Sequence, residues 1–185
     1  MFEVAIIGAG PAGASAAIFT SKAGLKTLLI DSGQSMTKRA LLRNHYGIKD
    51  ITGPQIIEIG KEQAVDFGAV LVESKVQGIF QADSYFHIQL ENDSFDTKQI
   101  IIATGALTDL AKKIGLAIKP GIEPYIRSII QVDASGKTHI PGIWAAGVAA
   151  GSSVHTIISS GDGARVAINL ISEKLGRRYV DHPME

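Results

Sequence analysis

Short unbroken apolar runs alternate with longer stretches in which apolar residues recur every three or four positions. Residues 4–7 (VAII) form the first run, too short for a helix and apolar on both faces, as a strand covered on both sides should be. Gly8 and Gly10 end it. Small helix formers then dominate residues 12–23, with Gly24 as the stop, and residues 26–30 make a second strand that delivers Asp31. The next helical period covers residues 55–67, where Ile56, Ile57, Ile59, Ala64, Val65 and Phe67 fall roughly on one face despite Gly60. Pro54 suits its first turn and Gly68 its end. Residues 69–72 are a third buried strand.

The pattern changes after that. Residues 76–80 and 86–90 flank an Ala82-Asp83-Ser84 turn and predict an antiparallel hairpin, extended by residues 94–97. Residues 100–103 return to a buried strand that runs into Thr104-Gly105. Residues 107–141 carry the weakest pattern, with a short helix at 109–114, a strand at 129–132 and a turn at 133–136. Residues 143–146 are the last buried strand. A loop of glycine and serine follows, then a helix from about Gly161 to residue 175, with Ala164, Val166, Ala167, Leu170 and Ile171 on its apolar face. The polar tail, 177–185, contains Pro183 and is expected to be disordered. The order of elements predicts an α/β protein of three layers: a central parallel sheet, helices, and a small antiparallel β layer. One domain over 1–176 accounts for the chain, with 177–185 as its tail.

Chemistry enters at the first turn. Gly8, Gly10 and Gly13 have GxGxxG spacing directly between a strand and a helix, which is what a dinucleotide diphosphate requires: a tight turn, a close backbone approach, and a helix pressed on its strand. Asp31 lies 18 residues beyond Gly13, near the roughly 20 expected for the acid that takes hydrogen bonds from a ribose. Lys38, Arg39 and Arg43 either reach phosphate oxygens or sit in a solvated loop.

Charge and composition narrow the class. Lysine plus arginine equals aspartate plus glutamate at 18 each, so nothing points to nucleic acid as partner. With no cysteine there is no disulfide, thiolate nucleophile or thiolate-bound metal. His45, His87, His139 and His182 share no ligand spacing, and no metal site is expected. Trp144 falls within a strand pattern and is expected in the core or an interface. No apolar run of roughly 18 residues or more is present to span a bilayer, and the first residues lack a basic leader, so a cytoplasmic protein without membrane attachment is expected.

Three stretches together, VAIIGAGPAG at the start, IIIATGA at 100–106 and PGIWAAG at 141–147 with GDGARVA after it, resemble the flavin domain of the thioredoxin reductase family, within the pyridine nucleotide-disulfide oxidoreductases. Residues 48–68 are similar as well. The resemblance implies an FAD/NAD(P)-binding Rossmann-like fold and bound FAD. Gly8, Gly10, Ala12 and Gly13 would face the diphosphate, with Pro11 in the same turn. Asp31 would face the adenosine ribose, with Ser32 beside it. Thr104 and Gly105 would lie beside the cofactor, Gly147 and Val148 at its ribityl and phosphate part, and the helix entered at Gly161 would aim its N–H groups at the flavin pyrimidine. His155 falls where the family usually has a glutamine near the flavin ring, with Thr156 next to it; a solvent-exposed loop histidine is the other reading.

Three departures bear on activity. The family inserts an NADPH domain between the ATG strand and the last strand, whereas about 35 residues separate Gly105 from Pro141 here, too few for the ~100 of a typical domain. The reductases' redox-active cysteine pair is missing. The family's aspartate after the last motif's glycine is Val148. The expected function is therefore a minimal FAD-binding oxidoreductase of the thioredoxin-reductase-like class, and not a self-contained NADPH-disulfide reductase. The alternative is a non-catalytic dinucleotide-binding module, or an electron-transfer subunit working with a separate reductase or electron-acceptor protein. NAD in place of FAD is a third reading, which the ATG and PGI motifs disfavour. A homodimer is expected, since family members pair through their flavin domains.

Overall fold

The computed structural model describes residues 1–182, so Pro183 lies outside the described residues. The chain opens with β1 (Phe2–Ile7), α1 (Pro11–Lys22) and β2 (Thr27–Asp31), followed by a 3₁₀ turn at Met36–Arg39, β3 (Leu41–Leu42) and β4 (Ile51–Thr52). Helix α2 (Gly53–Asp66) starts in a capping box: Thr52 Oγ1 accepts from the Gln55 N–H and Gln55 Oε1 accepts from the Thr52 N–H. Then come β5 (Val70–Glu73), β6 (Gly78–Gln81), β7 (Phe86–Gln89), β8 (Ser94–Ile102), α3 (Asp109–Lys113), β9 (Ile118–Pro120), β10 (Ser128–Ile130), β11 (Ile143–Ala145), a second 3₁₀ turn at Gly147–Ala150, and α4 (Thr156–Leu175).

Strands β5, β2, β1, β8 and β11 run parallel in that spatial order. Successive strands lie to opposite sides of β1, so its carboxyl end and that of β8 form a topological switch point, where open α/β sheets leave a crevice. The amino-terminal part of β8 pairs antiparallel with β7, which pairs with β6. Where two strands are expected at 94–97 and 100–103, one strand covers both. Asp96, Lys98 and Gln99 hide the continuity: Lys98 is exposed, Asp96 accepts at 2.8 Å against His87 Nδ1 on β7, and Gln99 Oε1 accepts from the buried Trp144 indole at 3.0 Å.

Alternation along the strands feeds two cores. Val4, Ile6, Leu29, Ile101 and Trp144 face α1, α2 and α4, meeting Ala16, Ala64, Val166 and Leu170. Ala5, Leu28, Ile30, Ile100, Ile102 and Ile143 face the other way, onto Ile88 of β7, Ala111 of α3 and Ile130 of β10. The three expected layers are thus present.

Two differences matter for the site. Helix α4 begins at Thr156 and not at Gly161, so the Gly-Asp-Gly stretch is helical. Its first turns carry Ile157 and Ile158 toward solvent, which masks the period. The tail expected to be disordered is held as far as it is described: Asp181 accepts from Lys22 Nζ at 3.0 Å and from the Tyr179 hydroxyl at 3.1 Å, and the Tyr179 N–H donates to Ser172 Oγ.

Candidate functional site

The carboxyl ends of β1, β2, β8 and β11 open into one cleft of about 720 Å³, within the ~300–1,000 Å³ of small-molecule sites. Of the residues expected from sequence, Gly8, Gly10, Pro11, Ala12, Asp31, Ser32, Thr104, Gly105, Val148, His155 and Thr156 line it, and Gly13 and Gly147 stand just behind.

The three glycines of the first turn have separate duties. At Gly8, with φ at +103°, an added Cβ would lie 2.4 Å from the Ala103 carbonyl oxygen. At Gly13 it would lie 1.7 Å from the Gly8 carbonyl oxygen. These two let β1, α1 and β8 meet. At Gly10 a Cβ would meet only the Ser35 side chain, at 3.2 Å, and would stand in the cleft. The first α1 bond runs from the Ala14 N–H to the Gly10 carbonyl, which leaves the N–H groups of Ala12 and Gly13 without a helical acceptor. A backbone donor pair at a helix N-terminus, beside a glycine that leaves room, is an anion cradle.

Asp31 is buried at the end of β2. Its Oδ1 accepts from the Gly33 N–H at 2.9 Å and its Oδ2 from Lys61 Nζ at 2.6 Å, and the same ammonium donates to Glu73 Oε1 at 3.2 Å. Burial disfavours the Lys61 charge, but hydrogen bonds and attraction from Asp31, then Glu73, outweigh it and raise its pKa above the ordinary 10.5. Lys61 has no counterpart in the sequence reading, because a lysine in an amphipathic helix reads as its solvated face.

At the opposite end, Asp162 of α4 reaches back to the turn after β11. Its Oδ2 accepts from the Gly147 N–H at 2.7 Å and its Oδ1 from Arg165, whose other nitrogen donates to the Ala134 carbonyl. This clamp sets the 3₁₀ turn that places Val148 at the cleft. His155 stands at the N-cap of α4, its Nδ1 sharing a 2.7 Å hydrogen bond with Ser153 Oγ. Because α4 starts at Thr156, its free N–H groups at the cleft belong to its first turn and not to Gly161.

Lys38, Arg39 and Arg43 do not line the cleft, and Arg43 pairs with Asp50 at the surface, which agrees with the solvated reading. The segment carrying them supplies a wall nonetheless, through Ser35, Met36, Thr37 and Leu42. Ser74 and Val76 after β5, and Ile126 between β9 and β10, add lining that no sequence motif marks.

Residues 2–121 match the family model described as pyridine nucleotide-disulphide oxidoreductase. The chain belongs to that family. The thioredoxin reductase of Peptoclostridium acidaminophilum is 34% identical over 115 residues, which are 60% of this chain and 36% of that enzyme; the match thus spans about a third of the relative. Among solved structures, a thioredoxin reductase from Gloeobacter violaceus superposes with a TM-score of 0.78 at 18% identity, over 100% of this chain and 98% of that one. An oxidoreductase from Agrobacterium tumefaciens gives 0.82 at 16% identity, over 94% and 99%. At such identities the likeness is one of fold.

The fold is that of thioredoxin-reductase-like proteins, a family of FAD-binding flavoproteins. The cleft fits FAD: the glycine cradle clears space at the α1 N-terminus, an acid closes the end of β2, and β8 and β11 end in small residues, Ala103, Gly105 and Ala146. Between β8 and β11 the chain forms only α3 and the β9–β10 hairpin, so no second dinucleotide fold is inserted there. No helix among the described residues is long and apolar enough to cross a membrane.

Proposed function

We propose that the chain is a minimal FAD-dependent oxidoreductase unit in which electrons enter and leave through this single cleft. The observation that carries the reading is the convergence of four strand ends on one cleft that joins an anion cradle, a buried acid and the start of a long helix. The N–H groups of Ala12 and Gly13 bind the diphosphate, with Gly8, Gly10 and Pro11 shaping the turn, and Asp31 with Ser32 meets the adenosine ribose. Thr104 and Gly105 flank the middle of the cofactor, and Gly147 positions the chain beside it. Bound FAD supplies the redox chemistry itself. Donors in the first turn of α4, from Thr156 onward, favour negative charge on the ring they face. His155, which lines the cleft at the start of α4, would donate a hydrogen bond to the ring or move a proton there. Val148 keeps that part of the cleft apolar and excludes water.

Lacking cysteine and an inserted nicotinamide domain between β8 and β11, the unit does not reduce disulfides by an internal dithiol. Its donor is a freely diffusing reductant or a separate reductase, and its acceptor a small molecule or partner protein. Residues 1–176 act as one domain with 177–185 as its tail, in the cytoplasm and as a homodimer. The test is the absorption spectrum of the purified protein with added FAD, followed by anaerobic NADH or NADPH. Flavin bands that bleach, with turnover to an acceptor, support the enzyme. A colourless protein refutes it.

One observation favours a second reading, a flavin-holding module without turnover of its own: Val148 lines the cleft where the resemblance calls for an acid. Bound flavin that neither nicotinamide bleaches would favour that module.

A further inference from the structure

We propose that Lys61 is a positioning residue for the adenosine half of the cofactor, acting through Asp31; this rests on the flavin reading above. Lys61 belongs to α2, whose buried face otherwise holds Gly53, Ile57 and Ala64, and its side chain is 7% exposed. A buried ammonium is sustained only by close partners. The nearest is Asp31 Oδ2, at 2.6 Å, whose side chain is 6% exposed, while the second, Glu73, is 74% exposed and contributes one oxygen at 3.2 Å.

The Asp31 carboxylate is therefore fixed by two protein donors, one on each oxygen: the Gly33 N–H on Oδ1 and Lys61 on Oδ2. An ionised carboxylate has about four acceptor sites, so each oxygen keeps capacity for a ribose hydroxyl. Two fixed donors set the rotation of the carboxylate plane before any ligand arrives, which removes an ordering cost from binding. Lys61 itself does not line the cleft, so every effect it has on the ligand passes through Asp31.

The prediction concerns one half of the ligand. FMN ends at its phosphate and lacks the adenosine, so it is blind to Asp31. Flavin fluorescence titrations of FAD and FMN give the dissociation constants. Lys61→Met is expected to weaken FAD at least tenfold and to leave FMN within twofold. Asp31→Asn should behave likewise. The double variant, which removes both buried charges together, should bind FAD no more weakly than the weaker single variant, because the two residues act as one unit. Equal weakening of FAD and FMN by Lys61→Met would mean general loss of structure and would overturn the proposal. So would additive losses in the double variant, or an unchanged FAD constant. Should Lys61→Met not fold, the comparison is made with Lys61→Gln, for which the same FAD-specific loss is expected and its absence is decisive against the proposal. A wild-type chain that takes up neither flavin would overturn the flavin reading and this inference with it, whereas tight FAD binding insensitive to Lys61 removes this inference alone.

Discussion

Gly161 and Gly163 sit two residues apart in α4, and the same substitution should act on them in opposite directions. Gly161 is exposed, and a Cβ built there meets nothing within 4 Å. Replacing glycine by alanine in an open helix interior stabilises by about 0.5–1 kcal/mol. In a domain of this size, 1 kcal/mol moves the melting temperature by about 2–4 °C. Gly161→Ala is therefore expected to raise it by about 1–4 °C. At Gly163 the Cβ would lie 2.0 Å from the Ala12 carbonyl oxygen, 2.7 Å from its carbon and 2.8 Å from Ala12 Cα. All three are backbone atoms of α1, so no side chain can swing aside and α4 must move off α1. Overpacking of this kind costs about 1–3 kcal/mol, and more where the backbone must shift, against the same helix gain of under about 1 kcal/mol. The net expectation is a loss of about 1–2 kcal/mol and a melting temperature lower by roughly 2–8 °C. Displacing the Ala12 end of α1 also disturbs the diphosphate cradle, so FAD should bind more weakly to Gly163→Ala and unchanged to Gly161→Ala. The assays are thermal melts and urea titrations of the apo-protein, with FAD titrations alongside. A Gly163→Ala protein that melts at or above wild type would refute the close α1–α4 packing, and with it the geometry given to the cradle.

Asp162→Ala removes the acceptor of the Gly147 N–H and of Arg165, leaving a partly buried donor unpaired. It should cost about 1–3 kcal/mol in urea titrations, with FAD affinity falling as the turn after β11 loosens. Val148→Asp places an acid where the resemblance expects a ribityl contact. One added hydrogen bond of about 0.5–1.5 kcal/mol should tighten FAD roughly two- to tenfold, and weaker binding would argue that the ribityl chain passes elsewhere. Burial pushes the Asp181 pKa up, but hydrogen bonds from Lys22 and Tyr179 outweigh it, so the folded value lies below the ordinary 3.8. A depressed carboxylate contributes stability that is present above its unfolded value and lost as pH falls through the folded one. The strap formed by residues 177–182 should therefore loosen only below about pH 3.8. Hydrogen exchange at Tyr179 that is slow at pH 5 in wild type and fast in Asp181→Asn would bear this out, and equal rates in both would count against it.

What was legible in the sequence is what repeats locally. The VAII run and its glycines, the helix from residue 12, and Asp31 at the end of the second strand follow from patterns only a few residues long, and the cleft uses almost all of them. What was hidden depends on partners distant in sequence. Gln99 within β8 reads as part of a break because Trp144, whose indole it accepts from, lies 45 residues further along the chain. The start of α4 was obscured because its first turns, which follow a glycine- and serine-rich loop, face outward with Ile157 and Ile158. Lys61 shows the same limit most sharply. Nothing in its neighbours distinguishes it from a solvated lysine, and only the meeting of α2 with the ends of β2 and β5 turns it into the partner of Asp31.

The link between β8 and β11 explains how a flavin fold stands without a domain inserted at that point. Parallel neighbours in a sheet require a crossover, here supplied by α3 and the β9–β10 hairpin. That crossover is no mere linker, because Ala111, Leu116 and Ile130 pack with Ile100, Ile102 and Ile143 in the core on the sheet face away from α1. Ile126, in the loop that joins β9 to β10, also reaches the cleft. The segment therefore covers the sheet, closes the topology and forms part of the cofactor wall at once. A larger insertion at this point would have to preserve all three roles, whereas its absence leaves the cradle at Gly8–Gly13 and the acid at Asp31 fully supported by α1, α2 and α4 on the opposite face.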